Sequence, residues 1–83
     1  MNDESMSMKT YMTQDLPLAA TLVSLGQSLQ GIDRTNPKRA GFCFAQSSEL
    51  HTLIDTYQSG NITIEPRSYF DAIKYLKSRL YGN

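Results

Sequence analysis

Cysteine and histidine each occur once in the 83 residues. Cys43 therefore has no partner for an internal disulfide, and Cys43 with His51 is too small a ligand set for structural zinc. A lone cysteine fits a reducing compartment, and the expected location is cytoplasmic. No apolar run approaches the roughly 18–20 residues of a membrane span, so no membrane partner is expected. Met1 to Met8 lack both the basic stretch and the apolar core of a secretory signal. Charge of one sign is not in excess either, since eight Lys and Arg stand against eight Asp and Glu. Asp15, Asp33, Asp55 and Asp71 are too scattered to place a carboxylate pair at a catalytic distance. The five glycines sit at element ends and form no phosphate-binding loop. No residues are left to nominate for catalysis, a metal or a cofactor, and the chain is expected not to be an enzyme.

Forty per cent hydrophobic and 19% charged residues are too apolar and too weakly charged for a disordered chain. The length suits one small domain that buries about 60–65% of its unfolded surface, with a net stability of a few kcal/mol. A deep pocket of ~300 Å³ would remove side chains that such a core needs, which favours binding through an outer surface. Residues 1–8 are polar apart from three methionines and read as a disordered leader. Residues 9–83, the single α+β domain, then hold eight basic and six acidic groups, a net of +2 that the neutral total conceals.

Within that domain, residues 9–13 are rich in strand formers. Thr13 or Asp15 can cap a helix over about 15–25, where Pro17 fits the first turn and Gly26 ends it. Leu18, Leu22 and Leu25 make its apolar stripe. Residues 28–34 and 40–46 read as a β-hairpin around Thr35-Asn36-Pro37-Lys38. Ser47 or Ser48 caps a second helix with Leu50, Leu53, Ile54 and Tyr57 on one face, stopped at Gly60. Ile62-Thr63-Ile64 reads as a short strand. Pro66 then opens a last helix whose buried stripe is Tyr69, Ile73, Leu76 and Leu80. The order βαββαβα predicts a ferredoxin-like split βαβ sheet, antiparallel, with helices on one face and an added C-terminal helix.

Lys38-Arg39-Ala40-Gly41-Phe42-Cys43-Phe44 resembles, loosely, the third strand of RNA-recognition motifs, with Tyr11 as the aromatic of the first strand. That resemblance implies Phe42 and Phe44 stacking on bases while Lys38 and Arg39 hold phosphates. Alternation argues the other way. Were the two rings exposed, Gly41, Cys43 and Ala45 would have to fill the core, although burying one Phe contributes about 1.5–3 kcal/mol. Both rings are therefore expected inside. Cys43 is expected as a small buried residue and His51 as a surface helix residue.

Arg34, Lys38 and Arg39 flank the hairpin turn, while Arg67, Lys74 and Lys77 project from the polar face of the last helix. Residues 66–83 carry four positive charges against Asp71 alone. Tyr75 and Tyr81 stand beside them as accessory stackers, a mixture suited to single-stranded nucleic acid. The plain alternative is a solvated face whose lysine stems cover apolar surface.

A second resemblance runs through Tyr11 to Ala20, Leu25-Gly26, Phe42-Cys43-Phe44, Leu53 to Gly60, Pro66, and Leu76 through Leu80. Through these the chain resembles a family of small bacterial and phage proteins that carry a domain of unknown function. The resemblance implies a passenger of mobile elements or a neighbour of replication genes, and brings no catalytic residue with it. The expected function is a small non-enzymatic binding module that associates weakly, and in a salt-sensitive way, with single-stranded nucleic acid or a nucleoprotein. The alternative is a protein–protein adaptor or inhibitor acting through the sheet face or the last helix, or a homodimer.

Overall fold

A computed structural model describes residues 10–82. The expected leader, residues 1–8, lies outside the described residues. The chain forms strand β1 (Thr10–Thr13), helix α1 (Leu16–Ser24), strands β2 (Leu29–Asp33) and β3 (Gly41–Ala45), then helices α2 (Ser48–Gln58) and α3 (Pro66–Lys77). A π-helical turn, Ser78–Gly82, prolongs α3.

The sheet order is β1-β3-β2, antiparallel at both junctions. Side-chain alternation sorts its residues onto two faces. Phe44 stands between Tyr11 and Leu29, and Phe42 between Thr13 and Ile32, all on the helical side. Phe42 is 3% exposed and Phe44 fully buried, as the alternation argument requires. They pack in one core with Leu18, Leu22, Leu50, Ile54, Ala72 and Leu76. The opposite face carries Met12, Gly31, Asp33, Gly41 and Cys43, and the helical core residues of the described chain cluster on the other side. Cys43, expected in the core, lies half-buried on this open face. It neighbours both phenylalanines along β3, so the alternation that turns them inward turns Cys43 outward.

The predicted fourth strand does not form among the described residues. Ile62 and Ile64 are half-buried and Thr63 exposed, so the alternation is present, but no strand pairs with them. Glu65 is already committed as the N-cap of α3 and Pro66 offers no N–H, which leaves three residues for a ladder. Burial on one side produced the pattern without pairing. The architecture is α+β with a three-stranded antiparallel sheet and a split βαβ connection.

α1 is the central helix. Leu18, Ala19, Ala20, Thr21 and Leu22 are all buried, five in succession rather than one stripe. A helix buried nearly all round needs its polar atoms satisfied, and the Thr21 hydroxyl donates to the Pro17 carbonyl at 2.8 Å. Asp15 caps α1 by accepting from the Leu18 N–H at 3.4 Å, and Ser47 caps α2 by accepting from Leu50 at 3.0 Å. Gly26 and Gly60 adopt φ of 102° and 81° where these two helices turn away, the left-handed region that favours glycine.

Glu65 caps α3, its Oε1 accepting from the Ser68 N–H at 2.8 Å and from the Ser68 hydroxyl at 3.0 Å. The Ser68 N–H foremost, then the Arg67 N–H and the Ser68 hydroxyl, hold this carboxyl below its usual value of 4.5. A carboxyl whose pKa is lower folded than unfolded stabilises the fold above the unfolded value. It loses that contribution as pH falls through the folded value. Thermal melts should therefore show the gap between the protein and Glu65→Gln narrowing from neutral pH to below about 4. A gap that stays constant would mean the cap carries no charge-dependent part.

Candidate functional site

The C-terminal end of α3 comes to rest against the hairpin turn. Helix ends leave carbonyls without intrahelical partners, and the Arg34 Nη2 donates to the Arg79 carbonyl at 3.1 Å. A cation there also complements the helix dipole. Arg34 has further N–H donors beyond the one used. Around this contact lie two adjoining depressions. One, of about 380 Å³, is lined by Arg34, Asn36, Pro37, Lys38, Ala40, Leu80 and Tyr81. The other, of about 160 Å³, takes in Arg39, Phe42, Lys77 and Gln14, and shares Ala40, Leu80 and Tyr81 with the first. No acidic side chain lines either. Tyr81, 78% exposed, stands between them.

Five of the sequence-nominated residues thus meet: Arg34, Lys38, Arg39, Lys77 and Tyr81. Three do not. Arg67 lies in the first turn of α3, about 15 Å along the axis from Lys77 at 1.5 Å per residue. Lys74 sits over the Phe70 ring, 5.2 Å from its centroid. Tyr75 belongs to a separate depression with Val23, Gln27, Ser28 and Leu29. Its hydroxyl accepts from the Arg79 Nη1 at 3.0 Å, and the same guanidinium stands 5.9 Å from its ring centroid. A ring so engaged is poorly placed to serve the cleft. Leu80 and Ala40, which line both depressions, were missed from sequence because they read as ordinary core and connector residues. Lys77 and Tyr81, four apart on the last helix, were the one local signal.

Asp33 marks where the positive surface ends. It lines a depression of about 280 Å³ on the open face, together with Met12, Gln14, Thr35, Asn36, Arg39 and Gly41. The hydroxyl and N–H of Thr35, the latter at 2.9 Å, hold its carboxyl below the ordinary value, so it is a fixed negative charge beside Arg39. Burial first, and then this carboxylate, push the Cys43 thiol up. That favours the unreactive protonated form. His51 is a surface helix residue, as expected: its Nε2 bonds Gln46 Oε1, and its ring meets Tyr11 edge-on with centroids 6.1 Å apart. Gln46 in turn donates to the Thr10 carbonyl at 3.2 Å, tying the start of α2 to β1. Among the described residues no three His, Cys, Asp or Glu lie together as a metal site, and no helix is long and apolar enough to cross a membrane.

Neither the curated proteins nor the solved structures contain a match to this sequence. A family profile does match, over residues 8–82, and so takes in the sheet, the three helices and both walls of the cleft. The chain belongs to the family described as domain of unknown function DUF5659.

Proposed function

We propose that the protein is a small non-enzymatic binding module for single-stranded nucleic acid, free or within a nucleoprotein. The reading rests on one observation: the hairpin turn and the end of α3 converge on a cleft of four cations around an exposed tyrosine. Arg34, Lys38, Arg39 and Lys77 would hold phosphates, and Tyr81 would stack on a base. Such a surface tracks a backbone and tolerates sequence, because every base has a π-face. The core phenylalanines take no part.

Fluorescence anisotropy of a labelled oligothymidylate tests this. Binding is expected at low salt and should weaken as salt rises. With three or four phosphates neutralised, log K should fall against log salt with a slope of about −2 to −3. Duplex of the same length should bind less well, since its bases are already stacked. Absence of binding at low salt would remove the proposal.

A second reading draws on the exposed aromatics of α3, with Phe70 60% and Tyr75 41% exposed. Tyrosine and phenylalanine are enriched at protein interfaces, and this face could dock an adaptor's partner or a second copy. Light scattering that gives a strict monomer would dispose of the homodimer branch.

A further inference from the structure

Resting on the nucleic-acid reading, the geometry points to a longer binding track: the strand leaves the Tyr81 cleft and runs along the outer face of α3, with Phe70 as a second stacking station. At roughly 100° per residue, Arg67, Phe70, Lys74 and Lys77 fall within about 80° of arc. The buried Ala72 and Leu76 lie on the opposite side of the helix. The stripe is continuous. Lys74 touches Phe70, Lys77 is the i+3 neighbour of Lys74, and Lys77 shares a depression with Tyr81 and Arg39. Aromatic rings are interleaved with the cations along it, and Asp71 stands at its margin as the one acid of residues 66–83.

Charge complementarity selects the occupant. A row of cations interleaved with exposed rings matches a chain of phosphates carrying unpaired bases, whereas a duplex would meet the cations and leave the rings idle. Length then sets a footprint. Phe70 and Tyr81 are about 16 Å apart along the helix. A stacked strand advances about 3.4 Å per nucleotide, so four or five nucleotides separate a base on one ring from a base on the other. A strand of three nucleotides reaches one ring only.

The test compares labelled oligothymidylates of about three and about eight nucleotides on the whole chain, on Phe70→Ala and on Tyr81→Ala. Phe70→Ala should weaken the longer strand by roughly five- to tenfold and leave the shorter one unchanged, while Tyr81→Ala should weaken both. Lys74→Gln is a second probe. It should lower the salt slope for the longer strand by about 0.7 and leave that of the shorter strand as it was. Both side chains are exposed, and a thermal melt of each variant checks that folding is intact. If the longer strand binds Phe70→Ala and Lys74→Gln as it binds the unmodified chain, the track is overturned while the cleft stands. If no strand of either length binds at low salt, the cleft falls too. Equal weakening by anionic vesicles and oligonucleotides in competition would also overturn it, by showing a surface that reads charge alone.

Discussion

Phe44→Ala is expected to abolish the cooperative thermal transition. The ring is fully buried on the central strand β3, flanked in register by Tyr11 and Leu29 and packed against the helices. Truncating a buried Phe costs about 3–5 kcal/mol through lost transfer energy and the cavity left behind. A domain of this size holds only a few kcal/mol in total, so the loss is comparable to its whole stability. Circular dichroism should show a sloping, non-cooperative melt from room temperature. Phe70→Ala is the matched control, an equal truncation at an exposed site, and should stay within about 0.5 kcal/mol of the unmodified chain. A wild-type midpoint for Phe44→Ala would mean that the ring is not in the core.

Reversing two charges in the cleft, Arg39→Glu with Lys77→Glu, should give the largest change in binding. Two unit charges 4 Å apart in water interact by about 1 kcal/mol, so each reversal swings a phosphate contact by about 2 kcal/mol before salt screening. The pair should weaken an oligonucleotide about a hundredfold or more at low salt, and the deficit should shrink as salt is raised. Both side chains are exposed and none of the helix caps uses them. The melt should therefore barely move. Affinity unchanged by the double reversal would place the binding surface elsewhere and favour the adaptor reading. The oligonucleotide titration on the intact chain must precede this measurement, since it establishes the affinity being lost.

Much of the fold could be read from local chemistry. Asp15 and Ser47 cap helices where their short polar side chains precede apolar stripes, Pro66 opens α3, and Gly26 and Gly60 stand where two of the helices end. The inward direction of Phe42 and Phe44 followed from the volume that a small core must fill. Other features depend on tertiary placement. Residues 62–64 alternate as a strand would, yet alternation reports only that one side is buried. Ala19 and Ala20 looked incidental to a leucine stripe, whereas both are fully buried and their small size lets neighbouring elements approach α1 closely. The cleft is the clearest case. Residues 34–39 and 77–81 are some forty positions apart, and no spacing within either segment tells which side of the other it meets. Arg34 closing the end of α3 is a contact that only the folded chain supplies. For the same reason Tyr75 and Tyr81, alike on paper, part company: one pairs with Arg79 and the other stands free beside the cations.

The missing fourth strand has a consequence for behaviour in a crowded solution. Within the described sheet β1 and β2 each have one unpaired margin, and such margins can template zippering with other chains. Here β1 runs for four residues, while β2 is broken by a bulge between Leu29 and Gly31 and closes on the charged Asp33. Brevity, a kink and a charge each interrupt the regular row of donors and acceptors that an incoming strand would need. Both margins of the described sheet are thus open, yet neither offers a long regular edge for fibrous self-association.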